Sequence, residues 1–349
     1  WWEAVARVVD FNIGLQISAM KRQGKAITFE LIKRLEEEAM EIYDFMYNLK
    51  LFPSGRSLWV GGTPSSYHYA LSNFNCSFMV MDDVRKFAEL IFILMLGTGA
   101  GISVERKYVD KLPKVNSKIE VIHKNYQPVP KRDRKEHTEL IQKSSNVLEI
   151  VVGDSKFGWS KAVDIYFEII TSKQYADIEF VLINYDNVRP AGERLKTFGG
   201  FASGHKALSV MFEKINKIVV DKAEKTGETW NKLKTIDCLD ICTIIAENVV
   251  SGGTRRSAEI IFCDPDDEDV INAKGNIYYQ DGEGKWITNT AIEHRTLSNN
   301  TVLYKERPSR EKLHSQFQQM INSGEPAIGN LEEMIRRRED AQGTNPLAC

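Results

Sequence analysis

One stretch, residues 75–105, restricts the possible fold more than any other part of the sequence. It contains an apolar run typical of a strand (NCSFMVM), a helical run that starts at two aspartates (DDVRKFAELIFILML), a glycine-rich turn (GTGAG) and a second strand-like run (ISVE). Strand, helix and strand in this order form a βαβ unit, whose two strands lie parallel in one sheet. The sequence therefore predicts an α/β fold with parallel strands.

The alternation of strands and helices resumes after residue 147. Strands are predicted at VLEIVVG, IEFVLI, SAEIIFC and TVLY, with helices between them. Residues 1–50 predict two helices, the second capped by Thr28. Residues 105–147 are charged, contain prolines and have weak periodicity, so we interpret them as an insertion or surface excursion that adds no core element. We therefore divide the chain into a helical region, 1–50, and an α/β region, 51–349.

Composition excludes several classes of partner. The net charge of -2 gives no support for a nucleic-acid or membrane partner, and the longest apolar run, at 90–96, is too short to span a bilayer. Five scattered cysteines in a chain of 349 residues do not suggest a disulfide framework, so we expect a reduced, cytoplasmic protein. Cys238 and Cys242 lie four apart in an apolar helix, where we expect buried core thiols.

Four glycine-rich or polar turns between the predicted elements are candidate sites, because such turns carry function on α/β scaffolds. Each also has a structural interpretation. GTGAGISV at 97–104 is either a helix end or a ligand turn, and DSKFGW at 154–159 caps a helix and could also contact a nucleotide. The loop 187–204 carries cations and glycines that suit an anion, and the arginine pair in SGGTRRSAEI needs either an ion pair or a ligand.

Two cysteines lie in polar turns instead of apolar helices. Cys76 stands in SNFNCSF, where a strand leaves a turn, and Cys349 ends the chain in GTNPLAC. Cys76 is either a buried structural thiol or a reactive one. Two thiols in loops of a reduced protein raise thiol redox or radical chemistry as a hypothesis.

Taken together, these stretches resemble the large chains of ribonucleotide reductases. The nearest resemblance is to the adenosylcobalamin-dependent class II enzymes, in particular the monomeric ribonucleoside-triphosphate reductase type, and it covers nearly the whole chain. The blocks occur here in the family's order and spacing: SGRSLWVGGT, LSNFNCSFMVMDD, GTGAGISVERKYVDKLP, VVGDSKFGWSKAVD, VRPAGERLKTFGGFASG, VVSGGTRRSAEI, HRTLSNNTVLY and SGEPAIGNL.

The resemblance implies a ten-stranded α/β barrel made of two parallel five-stranded halves, with a finger loop through its centre. It implies that this chain supplies the amino-terminal helices and the first half-barrel. An effector-site insertion would lie at 105–147, a specificity loop at 187–204 and the finger-loop segment at 343–349. The second half-barrel would be missing, so we expect a fragment that is inactive by itself.

The resemblance also implies roles for individual residues. The implied catalytic residues are Cys76 as a redox thiol, Cys349 as the radical cysteine and Asn345 as a substrate contact. The implied substrate-binding residues are Ser54, Asn75, Gly99, Ala100 and Gly101. The implied effector-binding residues are Asp154, Ser155, Lys156, Arg189, Arg194 and Lys196. The expected cofactor is adenosylcobalamin. The expected partners are a ribonucleotide substrate, a deoxynucleoside triphosphate (dNTP) effector, thioredoxin or another dithiol, and the missing carboxyl-terminal half.

Two other identities of the chain and the role of Cys349 remain open at this stage. The chain could instead resemble a class I large subunit, which uses no cobalamin, or be an inactive nucleotide-binding half-barrel. Cys349 departs from the family spacing, because it follows Asn345 by four residues where the family has two. It is therefore either the radical cysteine of a longer tip or the first residue of an intein.

Overall fold

The computed structural model describes residues 1–195, 200–251 and 258–345, which form two compact units, Trp1–Asn75 and Cys76–Cys349. The first unit is helical, as predicted for its first fifty residues. Its helices are α1 (Trp2–Arg22), α2 (Phe29–Tyr47), α3 (Gly55–Val60) and α4 (Pro64–His68). The Thr28 hydroxyl accepts a hydrogen bond from the Leu31 N–H at 3.2 Å, which confirms the predicted cap of α2.

The second unit is the α/β part of the chain. Its helices are α5 (Arg85–Met95), α6 (Arg106–Val109), α7 (Lys156–Thr171), α8 (Lys206–Thr226), α9 (Thr235–Val250), α10 (Glu268–Ile271), α11 (Arg310–Ser323) and α12 (Leu331–Arg337). Its strands are β1 (Cys76–Val80), β2 (Gly99–Ser103), β3 (Val115–Asn116), β4 (Glu120–His123), β5 (Glu139–Ser144), β6 (Val147–Val151), β7 (Phe180–Asn184), β8 (Trp230–Asn231), β9 (Glu259–Cys263), β10 (Tyr278–Gln280), β11 (Trp286–Thr288), β12 (Ser298–Tyr304) and β13 (Ala327–Asn330).

The main sheet has five strands in the order β1-β2-β9-β12-β13, and every neighbouring pair is parallel. The predicted βαβ unit is confirmed, because β1 and β2 are adjacent, with Cys76 opposite Gly99, and α5 connects them. The second strand differs in its bounds: β2 begins at Gly99 and so contains the last three residues of the predicted GTGAG turn. A five-stranded parallel sheet is also what the resemblance implied for one half of a barrel.

Helices α5 and α9 cover one face of this sheet, which we call the helix face. Its core residues include Ala100, Ile102, Ile261 and Val302, all fully buried. Because side chains alternate along a strand, the next residues of each strand point to the opposite face. The core therefore extends from one face of the sheet and leaves the other face for other contacts.

A second sheet shows that the prediction for residues 105–147 was wrong in one respect. Strands β4 and β5 lie in this segment and join a four-stranded sheet in the order β4-β7-β6-β5, and the nearby Val115 and Ile119 are fully buried. This segment carries no strand signal because β4 has only four residues, which alternate between exposed and half-buried, and all six residues of β5 are exposed. Strands without a buried face have no apolar periodicity.

One further difference concerns a short hairpin. The hairpin of β10 and β11 was not predicted, because it has three residues in each strand and exposes Tyr278, Tyr279 and Trp286.

In the part of the chain that the structure describes, no helix is long and apolar enough to cross a membrane.

Glu259 is an exception within the apolar helix face. It lies at the start of β9, opposite Ala100 and Ser298 on the adjacent strands, and is only 1% exposed. Neither carboxylate oxygen has a hydrogen-bond partner among the described residues, and burial raises the pKa of this carboxyl well above its usual range. Glu259 therefore binds its proton more tightly in the folded chain than in the unfolded chain.

This linkage predicts the effect of Glu259→Gln. A raised folded-state pKa makes the folded state bind more protons, so wild-type stability falls as pH rises above the unfolded pKa, by up to about 1.4 kcal/mol per pH unit. Glutamine does not titrate, so the free energy of unfolding of the variant, measured with denaturant, should rise relative to that of the wild type from pH 5 to pH 8. Glu149→Gln is the matched control, because buried Glu149 accepts from Asn184 at 2.9 Å and pairs with Lys143. A wild type whose stability relative to Glu259→Gln does not change with pH would contradict the assignment.

Candidate active site

The second face of the main sheet is built around two aromatic rings, and we call it the aromatic face. Register places Cys76 and Phe78 of β1, Gly99 and Gly101 of β2, and Phe262 of β9 on this face. The rings of Phe78 and Phe262 are 6.1 Å apart between centroids. Leu303, Leu331 and Met334 complete the apolar cluster around them.

The segment that leads to Asn345 lies directly on this face. A Cβ atom added to Gly101 would overlap the carbonyl oxygen of Thr344 and would lie 3.1 Å from its carbonyl carbon. A Cβ atom added to Gly343 would lie 2.7 Å from Cζ of Phe78. A contact as short as the one at Gly101 does not occur between a Cβ and backbone, so position 101 needs glycine, whereas a side chain at position 343 would have to displace the Phe78 ring. The segment 343–345 therefore packs backbone to backbone against β2.

Cys76 shares the aromatic face with this segment. It stands two residues before Phe78, a separation of roughly 7 Å along a strand, and pairs in register with Gly99. It is partly exposed. The Ser77 hydroxyl donates to the Gly99 carbonyl at 3.1 Å, which holds the two strand starts together. The structure thus brings Cys76, Gly99, Gly101 and the approach to Asn345 to one face, with Ala100 buried on the other. Cys349 lies outside the described residues.

The other described cysteines have a different environment. Cys238 and Cys242 on α9 are fully buried, which confirms that they are core thiols, and Cys263 on β9 is fully buried too. Burial raises the pKa of all three thiols, so they stay protonated and unreactive. Of the cysteines that the structure describes, Cys76 alone is accessible to solvent.

Two of the predicted substrate residues belong to the first unit. Ser54 caps α3, because its hydroxyl accepts from the Ser57 N–H at 3.2 Å. The Asn75 side-chain oxygen accepts from Nε of Arg56 at 3.1 Å, and the Arg56 guanidinium lies 5.5 Å from the Trp59 ring centroid. Ser54 and Asn75 are therefore both held by hydrogen bonds to residues of α3. The N-terminus of α3 offers backbone N–H groups.

The predicted effector residues begin at the start of α7. Asp154 accepts from both the backbone N–H and Nε of Arg189, at 3.1 and 2.9 Å. Ser155 caps α7, because its hydroxyl accepts from the Gly158 N–H at 2.9 Å, and it also donates to the Glu136 carbonyl at 2.6 Å. Lys156 is the first residue of the helix. Asp154, Ser155 and Arg189 thus hold loops together, whatever else they bind.

The described residues of the predicted loop 187–204 form two antiparallel arms, 187–195 and 200–204, which we call the hairpin. The Gly192 N–H donates to Ala202 and the Leu195 N–H donates to Gly200, at 3.0 and 2.9 Å. Arg194 pairs with Phe201 as an isolated antiparallel bridge between the two arms. Lys196 lies outside the described residues.

A cleft that sequence reasoning missed runs between α5 and α7. Its volume is about 510 Å³, and its lining includes Arg85, His137, Phe157 and Lys161. The Phe157 ring stacks on Phe92 with centroids 4.7 Å apart, and the two cations pair with Asp83 and Asp164. The signal was present in α7, since Phe157, Lys161 and Asp164 recur at helical spacing on one face.

Comparison with known proteins identifies the chain's relatives. Residues 1–63 match the family model of the ribonucleotide reductase alpha domain. Residues 115–219 match that of the B12-dependent ribonucleotide reductase insertion domain. The domain boundaries proposed from the sequence stay predictions.

Relatives of known name agree with these matches. The chain is 29% identical over 399 residues to an adenosylcobalamin-dependent ribonucleoside-triphosphate reductase of Lactobacillus helveticus, covering 99% of this chain and 49% of the relative. It is 30% identical over 363 residues to the protein of the same name from Lactobacillus delbrueckii subsp. bulgaricus, covering 95% and 45%. The chain thus spans about half the length of the curated relatives it matches.

A solved structure extends the similarity to the fold. The crystal structure of a B12-dependent (class II) ribonucleotide reductase superposes with a TM-score of 0.75 at 26% identity, covering 99% of this chain and 50% of that one. The matches confirm the resemblance inferred from the sequence: the chain is related, by sequence and by fold, to the adenosylcobalamin-dependent, class II ribonucleotide reductases over about half of their length.

Proposed function

We propose that the chain forms the redox-thiol half of an enzyme that reduces ribonucleotides, preferably triphosphates, to deoxyribonucleotides. The observation that carries this proposal is the aromatic face, where an accessible thiol begins a strand and a backbone segment lies against the neighbouring one. The relatives named as ribonucleoside-triphosphate reductases support the same chemistry.

The proposed role of Cys76 follows from the balance of the reaction. Replacing a ribose hydroxyl by hydrogen releases water and requires two electrons and two protons. Two thiols that become one disulfide supply both, so a thiol next to the ribose can protonate the leaving hydroxyl and then reduce the sugar. We assign Cys76 as one thiol of this pair, because it is accessible and on the face that carries the segment to Asn345.

The proposed substrate contacts are backbone groups and small side chains. Gly99 keeps a side chain off the aromatic face beside Cys76, so a ribose could approach the strand closely there, whereas the space over Gly101 is taken by the backbone of Thr344. Asn345 would hydrogen-bond the sugar, and Ser54 and Asn75 would hold the phosphates. Cys349 remains either the radical cysteine or an intein start.

Adenosylcobalamin is part of the proposal because the relatives carry it in their names. The α5–α7 cleft of about 510 Å³ is lined by charged groups, among them Arg85, Glu89 and Lys161, and segment 343–345 lies against the aromatic face, so neither of these two places suits a corrinoid ring. We therefore derive no step through the cofactor. The match to the B12-dependent insertion domain favours class II over a class I large subunit.

The proposed control site lies at the start of α7. The α5–α7 cleft has an aromatic wall at Phe157 and cations at Arg85 and Lys161, a combination that suits the base and phosphates of a dNTP. It lies close to Asp154–Lys156 in sequence, and loop 187–204 with Arg194 and Lys196 would relay the effector's identity to the substrate. Thioredoxin or another dithiol would restore the thiols, and a cytoplasmic location is part of the same proposal.

The first prediction concerns Cys76. In the full-length protein, Cys76→Ser should reduce sustained deoxynucleotide formation at least about 100-fold, because a hydroxyl cannot form the disulfide. Product per enzyme is measured over time with adenosylcobalamin, a dithiol and each ribonucleoside triphosphate. Cys238→Ala removes a buried thiol and should keep turnover per folded molecule. Sustained wild-type turnover by Cys76→Ser would refute the redox role.

The second prediction concerns Gly101. Gly101→Ala should lower turnover at least about 100-fold by displacing segment 343–345 from β2, since a misplaced reacting group of even 1 Å is this costly. Gly14→Ala is the control, because an added Cβ there has nothing within 4 Å and alanine favours a helix. Equal activity of Gly101→Ala and wild type would show that the segment does not need this contact.

The third prediction concerns the cleft. In calorimetric titration of the full-length protein with the four dNTPs, Lys161→Ala should raise Kd about ten-fold by removing a phosphate-facing cation. Glu89→Ala removes an anion from the same cleft, so Kd should fall or stay constant. If neither variant changes Kd while the wild type binds, the dNTP site lies elsewhere.

A further inference from the structure

One tyrosine contacts both ends of loop 187–204. The Tyr126 hydroxyl donates to the carbonyl of Val188, at the start of the loop, over 2.7 Å. Its ring stacks on His205, directly after the loop, with centroids 3.8 Å apart and planes at 25°. A single side chain therefore fixes the distance between the two arms of the hairpin.

The contact at Val188 is half of a two-sided grip on one peptide bond. Tyr126 holds the oxygen of the Val188–Arg189 peptide, and the Asp154 carboxylate accepts from its N–H at 3.1 Å. Rotation of this peptide would break both hydrogen bonds at once. Pro190 follows, and its ring restricts the preceding residue further. Tyr126 and Asp154 together therefore set the orientation of the loop at the Val188–Arg189 peptide.

Residues around Tyr126 hold the same stretch of chain. Asp186 accepts from the Gln127 N–H at 2.8 Å and pairs with Lys124 at 2.5 Å. Further along the loop, Arg134 donates to Glu193 at 2.8 Å, which lowers the pKa of that carboxyl. The segment 124–135 thus runs along the loop and fastens it at several points.

We propose that Tyr126 is a positioning residue that orients loop 187–204, so that a nucleotide bound at the start of α7 can select the substrate. This inference rests on the proposed function. Asp154 is the link, because it lies in the proposed effector site and also grips the peptide that Tyr126 holds. Tyr126 itself touches neither nucleotide. Its contribution is to hold the loop in the orientation in which Asp154 binds the Arg189 N–H.

The first test measures the loop itself by hydrogen exchange of the full-length protein. Tyr126→Phe keeps the ring and loses one hydrogen bond, so amides in 188–205 should exchange about five-fold faster. Tyr126→Leu also loses the stack on His205, and exchange there should rise at least about ten-fold. Amides of α9 should not change. Tyr175→Phe is the control, since that ring packs on the core with no described contact to the loop. Unchanged exchange of the loop amides in Tyr126→Leu would overturn the proposal that Tyr126 holds the loop.

The second test measures substrate selection, which a merely structural role would not alter. For each dNTP effector, the ratio of kcat/KM between favoured and disfavoured ribonucleotides is compared with the ratio without effector. Tyr126→Leu should reduce this effector-dependent preference at least about ten-fold, with Tyr126→Phe between it and wild type, and keep turnover without effector. Faster loop exchange with full effector control would overturn the positioning role.

The two hypotheses fail separately. A wild type that forms no deoxynucleotide, or ignores every dNTP, refutes the proposed function and the regulatory role of Tyr126 with it. A wild type under dNTP control, with variants that match it in both tests, refutes the Tyr126 inference alone.

Discussion

The close approach of two backbones at Gly101 is the constraint on which the candidate site depends. Helices α5 and α9 bury one face of the parallel sheet, so the candidate site lies on the opposite face. On that face glycine at position 101 admits the carbonyl of Thr344, and Gly343 admits the ring of Phe78. A side chain at position 101 would exclude segment 343–345 from the strand that neighbours Cys76, and one at position 343 would require the Phe78 ring to move. Backbone contact also places the segment without any long side chain that would have to be ordered.

The proposed control site and the proposed redox site lie in different parts of the second unit. The aromatic face belongs to the five-stranded sheet, whereas the hairpin 187–204 and its anchors belong to the four-stranded sheet and the start of α7. Hydrogen bonds at Asp154, Tyr126 and Arg134 hold the first arm of this hairpin at Arg189, Val188 and Glu193, and the described parts of the two arms pair with each other. A loop that is fastened to the start of α7 and paired across its own arms can pass on a displacement as a unit, which is what the proposed relay between two nucleotide sites requires.

The sequence predicted the parts of the fold in which burial leaves a periodic pattern. Strand β1 and helix α5 follow from apolar periods, and the caps at Thr28 and Ser155 follow from residue type. Strand β2 was predicted three residues too late, because its first residues, Gly99 to Gly101, carry no strand pattern. Strands β4, β5, β10 and β11 were missed because exposed or very short strands have no such pattern. Resemblance supplied the site residues, yet it could not show that Asp154 pairs with Arg189 or that Tyr126 bridges the loop. Those contacts join residues 35 or more positions apart, or depend on ring geometry, which no local pattern records.

The most direct test of the account is the alkylation rate of each cysteine in the full-length protein, followed by mass spectrometry with and without a saturating ribonucleoside triphosphate. The account predicts that Cys76 reacts and that the nucleotide protects it, whereas the buried Cys238, Cys242 and Cys263 stay unmodified in both conditions. Modification of Cys76 at the same rate with and without every ribonucleotide would contradict the placement of the substrate at the aromatic face.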